Sequence, residues 1–197
     1  MKKSEIQKGK ELYHFTALDN LPSILSSKLL PRKGLKGFVD VANKEILKGR
    51  DKFDLDEMVP FHFFPNNPFD GKVCQLNPAT KFAFIVVRRV VAKSNGWKIT
   101  PRHPLSGDFK LMSYDEGIAD IDWEIMNKKD FKDPESKIVC MAECLALEAV
   151  VPSTFHAIYV ATEEDRKEVQ KTVTENGLRM FVEVKPLYFP GCYKFKG

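Results

Sequence analysis

The chain has 197 residues, of which 43% are hydrophobic, 11% aromatic and 29% charged, with a formal net charge of +4. That composition excludes fibrous and disordered classes, and the length suits one domain with a sizeable core, so residues 1–197 are expected to form a single domain. The longest apolar run, 82–87, is too short for a bilayer and the N-terminus has no apolar signal core; a cytoplasmic protein without a membrane partner is expected.

In chain order the pattern predicts an α+β fold of short strands and short helices. Leu12 to Thr16 reads as a first strand. Asp19 or Asn20 follows as a helix N-cap, with Pro22 in the first turn and Leu21, Ile24 and Leu25 on one apolar face. Residues 31–58 are polar and punctuated by glycine, with one helical possibility over 41–47, and read as a long functional loop. A strand resumes over Val59 to Phe64 and closes on the turn chemistry of Pro65-Asn-Asn-Pro68. Phe82 to Val91 reads as the central strand. From Ala92 to Glu135 periodicity is lost and the stretch reads as a binding or active-site loop, with one short helix over Ile118 to Met126. Strands are then expected over Ile138 to Leu147 and Ala157 to Ala161. A helix over Glu163 to Glu175, capped by Thr162 and ended by Gly177, precedes a last strand over Phe181 to Val184.

Basic residues come in groups, among them Lys28, Arg32, Lys33 and Lys36, and later Arg88, Arg89 and Lys93. They read either as solvated surface or as phosphate contacts for a nucleic acid. The four cysteines have no metal-ligand spacing and read as reduced, buried thiols, with Cys140 and Cys144 in one strand. His14, His62, His103 and His156 are scattered, no HExxH occurs, and no metal site is expected. Neither GxGxxG nor GxxxxGK[ST] is present, which excludes the standard phosphate loops.

Glu143 carries the most chemical interest. It sits in Ile138-Val-Cys-Met-Ala-Glu-Cys-Leu-Ala-Leu147, where a carboxylate either points to solvent from an edge strand or lines a cleft, because a desolvated carboxylate without a partner costs several kcal/mol. A Cys144 nucleophile beside it is disfavoured, since strand alternation sends the two side chains to opposite faces. His14 is either a packed core histidine or, with Thr16 and the turn at Asn20, part of a strand end that holds a ribose. Arg50, in a polar loop before a strand, has the fork geometry to clamp a pyrophosphate.

Four ordered segments, Tyr13-His-Phe-Thr16 with Asn20-Leu-Pro-Ser-Ile-Leu25, Val59-Pro-Phe-His-Phe-Phe-Pro65 with Pro68-Phe69, Asp122-Trp-Glu-Ile-Met126 and Ala142-Glu-Cys-Leu145, resemble the DarT family of DNA ADP-ribosyltransferase toxins. The resemblance implies an ADP-ribosyltransferase-like fold, two small packed antiparallel sheets flanked by short helices, with NAD+ as co-substrate and no metal. The implied reaction transfers ADP-ribose to a base of single-stranded DNA, thymidine favoured and guanosine possible. The implied setting is a toxin-antitoxin pair whose macrodomain antitoxin reverses the modification. By resemblance Glu143 is the catalytic glutamate, Arg50 and His103 assist, and His14, Thr16, Asn20 and Arg50 bind NAD+. Phe61 or Phe64 would pack on nicotinamide. The stretch Thr100-Pro-Arg-His103 departs from a Thr-Asp-Gly-His-like pattern at Pro101 and Arg102, and Lys137 stands where an arginine is usual. An RNA 2′-phosphotransferase-like enzyme of the same fold and a non-enzymatic nucleic-acid-binding module remain as alternatives.

Overall fold

The structure is a computed structural model that describes residues 5–33, 35, 37–39, 53–107 and 109–189. Among them are strands β1 (Glu11–Ala17), β2 (Val59–His62), β3 (Phe82–Arg88), β4 (Lys98–Thr100), β5 (Glu143–Ala146), β6 (Phe155–Val160) and β7 (Phe181–Val184). The helices are α1 (Leu21–Ser26), α2 (Pro68–Leu76), α3 (Arg89–Ser94), α4 (Tyr114–Asp120), α5 (Trp123–Lys128), α6 (Pro134–Cys140) and α7 (Glu163–Glu175).

The strands hydrogen-bond in the order β4-β5-β2-β1-β3-β6-β7. All pairings are antiparallel except β6 with β7, which α7 joins as a parallel crossover. The α+β class holds, and the two small sheets expected are halves of this one order. Seven residue pairs join β1 to β3, but β1 meets β2 only at Tyr13↔His62. Pro60 supplies the reason. Its carbonyl faces β1, where it accepts a hydrogen bond from His14 Nδ1 at 2.8 Å. Its ring nitrogen faces the same way and has no hydrogen to donate, so the ladder cannot extend past the junction.

Strand alternation divides the core into two clusters. One face carries Leu12, Ile85, Phe61, Cys144 and Ile99, covered by apolar residues of α1, α3, α5 and α7 such as Leu21, Ala92, Met126 and Val173. The other carries Tyr13, Phe15, Phe84, Val86 and Tyr159, covered by Val73 and Cys74 of α2 and by Phe189.

Several expectations are corrected. Ile138 to Cys140 is helical, not strand, because Asp133 caps the backbone N–H of Ser136 and Pro134 occupies the first turn. Cys140 and Cys144 therefore lie in different elements. The stretch 92–135 is not one loop: it holds the end of α3, then β4, α4 and α5, and the start of α6. The expected helix over Ile118 to Met126 is two, broken where Ile121 turns extended and Asp122 caps Ile125 N–H. The strand expected to reach Val91 stops at Arg88. Asn20 precedes α1 as expected, but its side chain makes no cap hydrogen bond. Cys74 is disulfide-bonded rather than reduced, while Cys140 and Cys144 are free and buried. Cys192 and the helical possibility over 41–47 lie outside the described residues. The α7 reading holds in full: Thr162 caps Asp165 N–H, and Gly177 takes φ 65° beyond the helix end.

Candidate active site

Glu143 is the first residue of β5 and is only 5% exposed. Register places it directly opposite His62 on one side and Thr100 on the other, and His62 opposite Tyr13. Directly paired residues share a face, so Tyr13, His62, Glu143 and Thr100 form one row across four strands. His62 and Thr100 are both buried. Cys144 points the other way into the first core cluster. Burial pushes its thiol well above the usual range, which removes it as a nucleophile at neutral pH.

His14 follows Tyr13 and so lies on the opposite face, at the strand edge where β1 and β2 part. It is two strands and one residue from Glu143, about 10 Å between Cα atoms at ordinary strand spacing. Burial pulls its pKa down from 6.5 to about 4, so the ring is neutral at pH 7. With Nδ1–H donated to Pro60, its Nε2 is left as an acceptor for a hydroxyl.

Thr16 is buried and its hydroxyl oxygen accepts from the Asn20 amide at 3.2 Å. The Asn20 amide also donates to Val39 O at 3.1 Å, and its carbonyl accepts from Val39 N–H at 2.9 Å. Both donors of the amide are thus engaged. Asn20 fastens the loop beyond α1 to the end of β1 and holds the site's wall. Arg50 lies outside the described residues.

His103 is anchored beside the C-terminal end of α6, its N–H donating to Ile138 O at 2.9 Å. Its Nδ1 accepts Leu105 N–H at 3.3 Å, which fixes the ring with Nε2 turned away from that bond. The loop is held despite Pro101 and Arg102, because the Arg102 guanidinium pairs with Glu135 of α6 at 2.8 Å. His103 therefore joins the Glu143 side of the site through both β4 and α6.

Phe61 and Phe64, the rings expected to pack on nicotinamide, are both buried. Phe61 has 0% exposure and its ring is enclosed between His14 at 5.6 Å and Trp97 at 4.9 Å. Phe64 is 4% exposed, with the Lys129 ammonium 4.3 Å over its ring. Phe69 of α2 is a half-buried ring on the Glu143 face, 5.4 Å from the His62 ring; Tyr188 is another half-buried ring on that face. The sequence reading did not single out His62, Thr100 or Phe69, which register and packing set on the Glu143 face. Period-two alternation assigns faces only once register is known.

Arg88, Arg89 and Lys93, expected either as solvated surface or as phosphate contacts, each have a partner within the chain. Arg89 donates to the carbonyls of Ile6, Gln7, Glu11 and Phe63, and its guanidinium lies over the Phe63 and Trp123 rings. Arg88 donates to His156 Nε2 at 2.6 Å, and Lys93 pairs with Asp115 at 2.7 Å.

Comparison with known proteins identifies the family and the fold. A family model described as ssDNA thymidine ADP-ribosyltransferase, DarT, matches residues 13–190. A DNA ADP-ribosyl transferase-DNA ADP-ribosyl glycohydrolase fusion protein of Thermosipho africanus is 26% identical over 92% of this chain, which spans 50% of that relative's length. The structure of Thermus sp. 2.9 DarT in complex with ADP-ribosylated ssDNA superposes with a TM-score of 0.79 at 22% identity, over 91% of this chain and 96% of that one. Thermus sp. 2.9 DarT in complex with carba-NAD+ gives 0.77 at 21% identity, over 92% and 98%. Thermosipho africanus DarTG in complex with ADP-ribose gives 0.74 at 25% identity, over 92% of this chain and 51% of that one. The family match covers the first strand, the parting of β1 and β2 and the strand that begins with Glu143, and by it this chain belongs to the DarT family.

Proposed function

We propose that this chain is an NAD+-dependent ADP-ribosyltransferase that modifies a base in single-stranded DNA, with thymidine favoured over guanosine. The observation that carries this reading is Glu143, a buried carboxylate at the head of β5, two strands from a neutral, partly enclosed His14. NAD+ is the co-substrate, and no metal is required.

In this reading His14 Nε2 accepts a hydroxyl of the adenosine-side ribose, and Asn20 ties Val39 to the end of β1 near it. The Glu143 carboxylate engages a hydroxyl of the nicotinamide-side ribose. The bond from the ribose anomeric carbon to nicotinamide breaks, and the pyridine departs neutral with the bonding pair. Positive charge then spreads over the ribose ring carbon and oxygen, where the nearby carboxylate stabilises it electrostatically. Phe69 is the ring placed to pack on nicotinamide; Arg50 and His103 are proposed to assist, Arg50 at the pyrophosphate. The base nitrogen attacks the anomeric carbon and loses its proton to solvent or a neighbouring base. The base must be outside a duplex stack for this attack. A toxin role, reversed by a macrodomain partner, fits the fusion of a transferase with a glycohydrolase in the Thermosipho africanus relative.

The test is a pair of variants incubated with NAD+ and short single-stranded oligonucleotides, read by mass spectrometry. Glu143→Gln keeps the shape and removes the charge, so labelling should fall by about 10²–10³. Glu148→Gln is the control: Glu148 is exposed and lies past the end of β5, so its variant should label at the wild-type rate. Equal wild-type rates for both folded variants would make Glu143 structural and remove the transferase reading.

A further inference from the structure

Thr100 ends β4 directly opposite Glu143, is 1% exposed, and its hydroxyl makes no hydrogen bond among the described residues. A buried hydroxyl without a partner is a standing loss of stability, and a valine of the same shape would remove it. The local fold has no use for the oxygen. Ile99 beside it packs against Gly117 and Cys144, and Thr100 only continues the strand. An unused polar atom in so tight a place calls for a role outside the resting contacts. Directly paired side chains on one face stand about 4.5–5.5 Å apart at Cβ, within one hydroxyl's reach of a carboxylate.

Building on the transferase reading, we propose that Thr100 is a positioning residue that acts through Glu143: when one carboxylate oxygen turns to the ribose hydroxyl, the Thr100 hydroxyl donates to the other. The donated bond holds the carboxylate in a single orientation through the step in which charge develops on the ribose. His62 flanks Glu143 on the opposite side, so the carboxylate is bracketed by two polar residues from β2 and β4. Thr100 itself does not touch substrate. Its hydroxyl is retained against stability, as groups that serve function often are.

The experiment compares Thr100→Val, Thr100→Ser and wild type in thermal melts and in single-strand labelling with NAD+. Thr100→Val should melt higher than wild type while kcat falls roughly tenfold, the scale of one lost hydrogen bond, with KM for NAD+ little changed. Thr100→Ser should restore kcat. In a Glu143→Ala background, Thr100→Val should add no further loss, because the group it orients is gone. A Thr100→Val variant that melts lower than wild type would reveal a structural partner and overturn the proposal. So would an unchanged kcat, or a loss that multiplies in the Glu143→Ala background. A wild-type chain that labels no oligonucleotide overturns the transferase reading and this inference together; a wild type that labels while Thr100→Val keeps pace overturns Thr100 alone.

Discussion

Two buried titratable side chains set how stability follows pH. Asp70 is 3% exposed in the first turn of α2, where Asn67 Oδ1 accepts from Phe69 and Asp70 N–H and Asp70 Oδ2 accepts from Asn67 N–H. Its other oxygen has no partner among the described residues. Burial raises the carboxyl pKa from 3.8 to about 8, only partly offset by those backbone bonds. Between those values the folded chain holds a proton that the unfolded chain releases, so stability falls as pH rises through the window. His14 acts in the opposite sense. Its pKa falls from 6.5 to about 4, so below 6.5 the unfolded chain binds the extra proton and stability drops as pH falls. Of the two, only the Asp70 slope remains above about pH 6.5. The wild-type melting temperature should therefore fall from about pH 6.5 to 8, and Asp70→Asn, which keeps the acceptor and removes the titration, should flatten that fall while leaving the acid limb. A variant with the same slope as wild type between those pH values would assign the slope to other groups.

At the scale of elements, α4 packs closely on β4. A Cβ on Gly117 would stand 2.3 Å from Ile99 Cβ, well inside contact distance. Alanine at a helical position gains about 1 kcal/mol over glycine from propensity. Here overpacking against a β-branched side chain, about 1–3 kcal/mol or more, wins. Gly117→Ala should thus lower the denaturation midpoint, and because Ile99 precedes Thr100, it should slow labelling as well. A variant as stable as wild type would mean that α4 slides on the sheet at little cost. The same scale shows what was readable in sequence. The α7 helix was legible to its ends because Thr162, the acidic first turn and Gly177 are local signals. The segment 138–147 misled because one apolar run serves two elements: Val139 and Cys140 are buried from a helix, and Cys144 and Ala146 from a strand. Periodicity cannot separate those cases over so few residues. The run from 92 to 135 concealed its helices for a related reason, since each spans two turns or fewer and takes its stability from packing rather than from its own pattern.

For the whole molecule the decisive feature is the single-pair junction between β1 and β2, which brings a strand edge with His14 alongside the row that holds Glu143. The proposed transfer needs a base outside the duplex stack. Single-stranded DNA should be modified and the matching perfect duplex should not, since extruding a base costs a few kcal/mol. Equal labelling of the two forms would show that the site melts duplexes or reads them from outside. Arg89 illustrates the limit of charge counting at this scale: its guanidinium ties the segment before β1 to the chain after β2, and it is lost to phosphate.

By itself the sequence determined the class, the family resemblance, the first strand with its histidine, the glutamate and the last strand-helix-strand run, though not its parallel pairing, because these depend on short-range patterns and ordered motifs. Only the tertiary structure decided which faces those residues occupy. It alone set His62 and Thr100 on either side of Glu143, withdrew Phe61 and Phe64 into the core, and turned Asn20 from a cap into a loop anchor. The physical reason is register: a shift of one residue sends every side chain of a strand to the other face, and register is fixed by pairing between segments up to 87 residues apart, as between Val59 and Ala146.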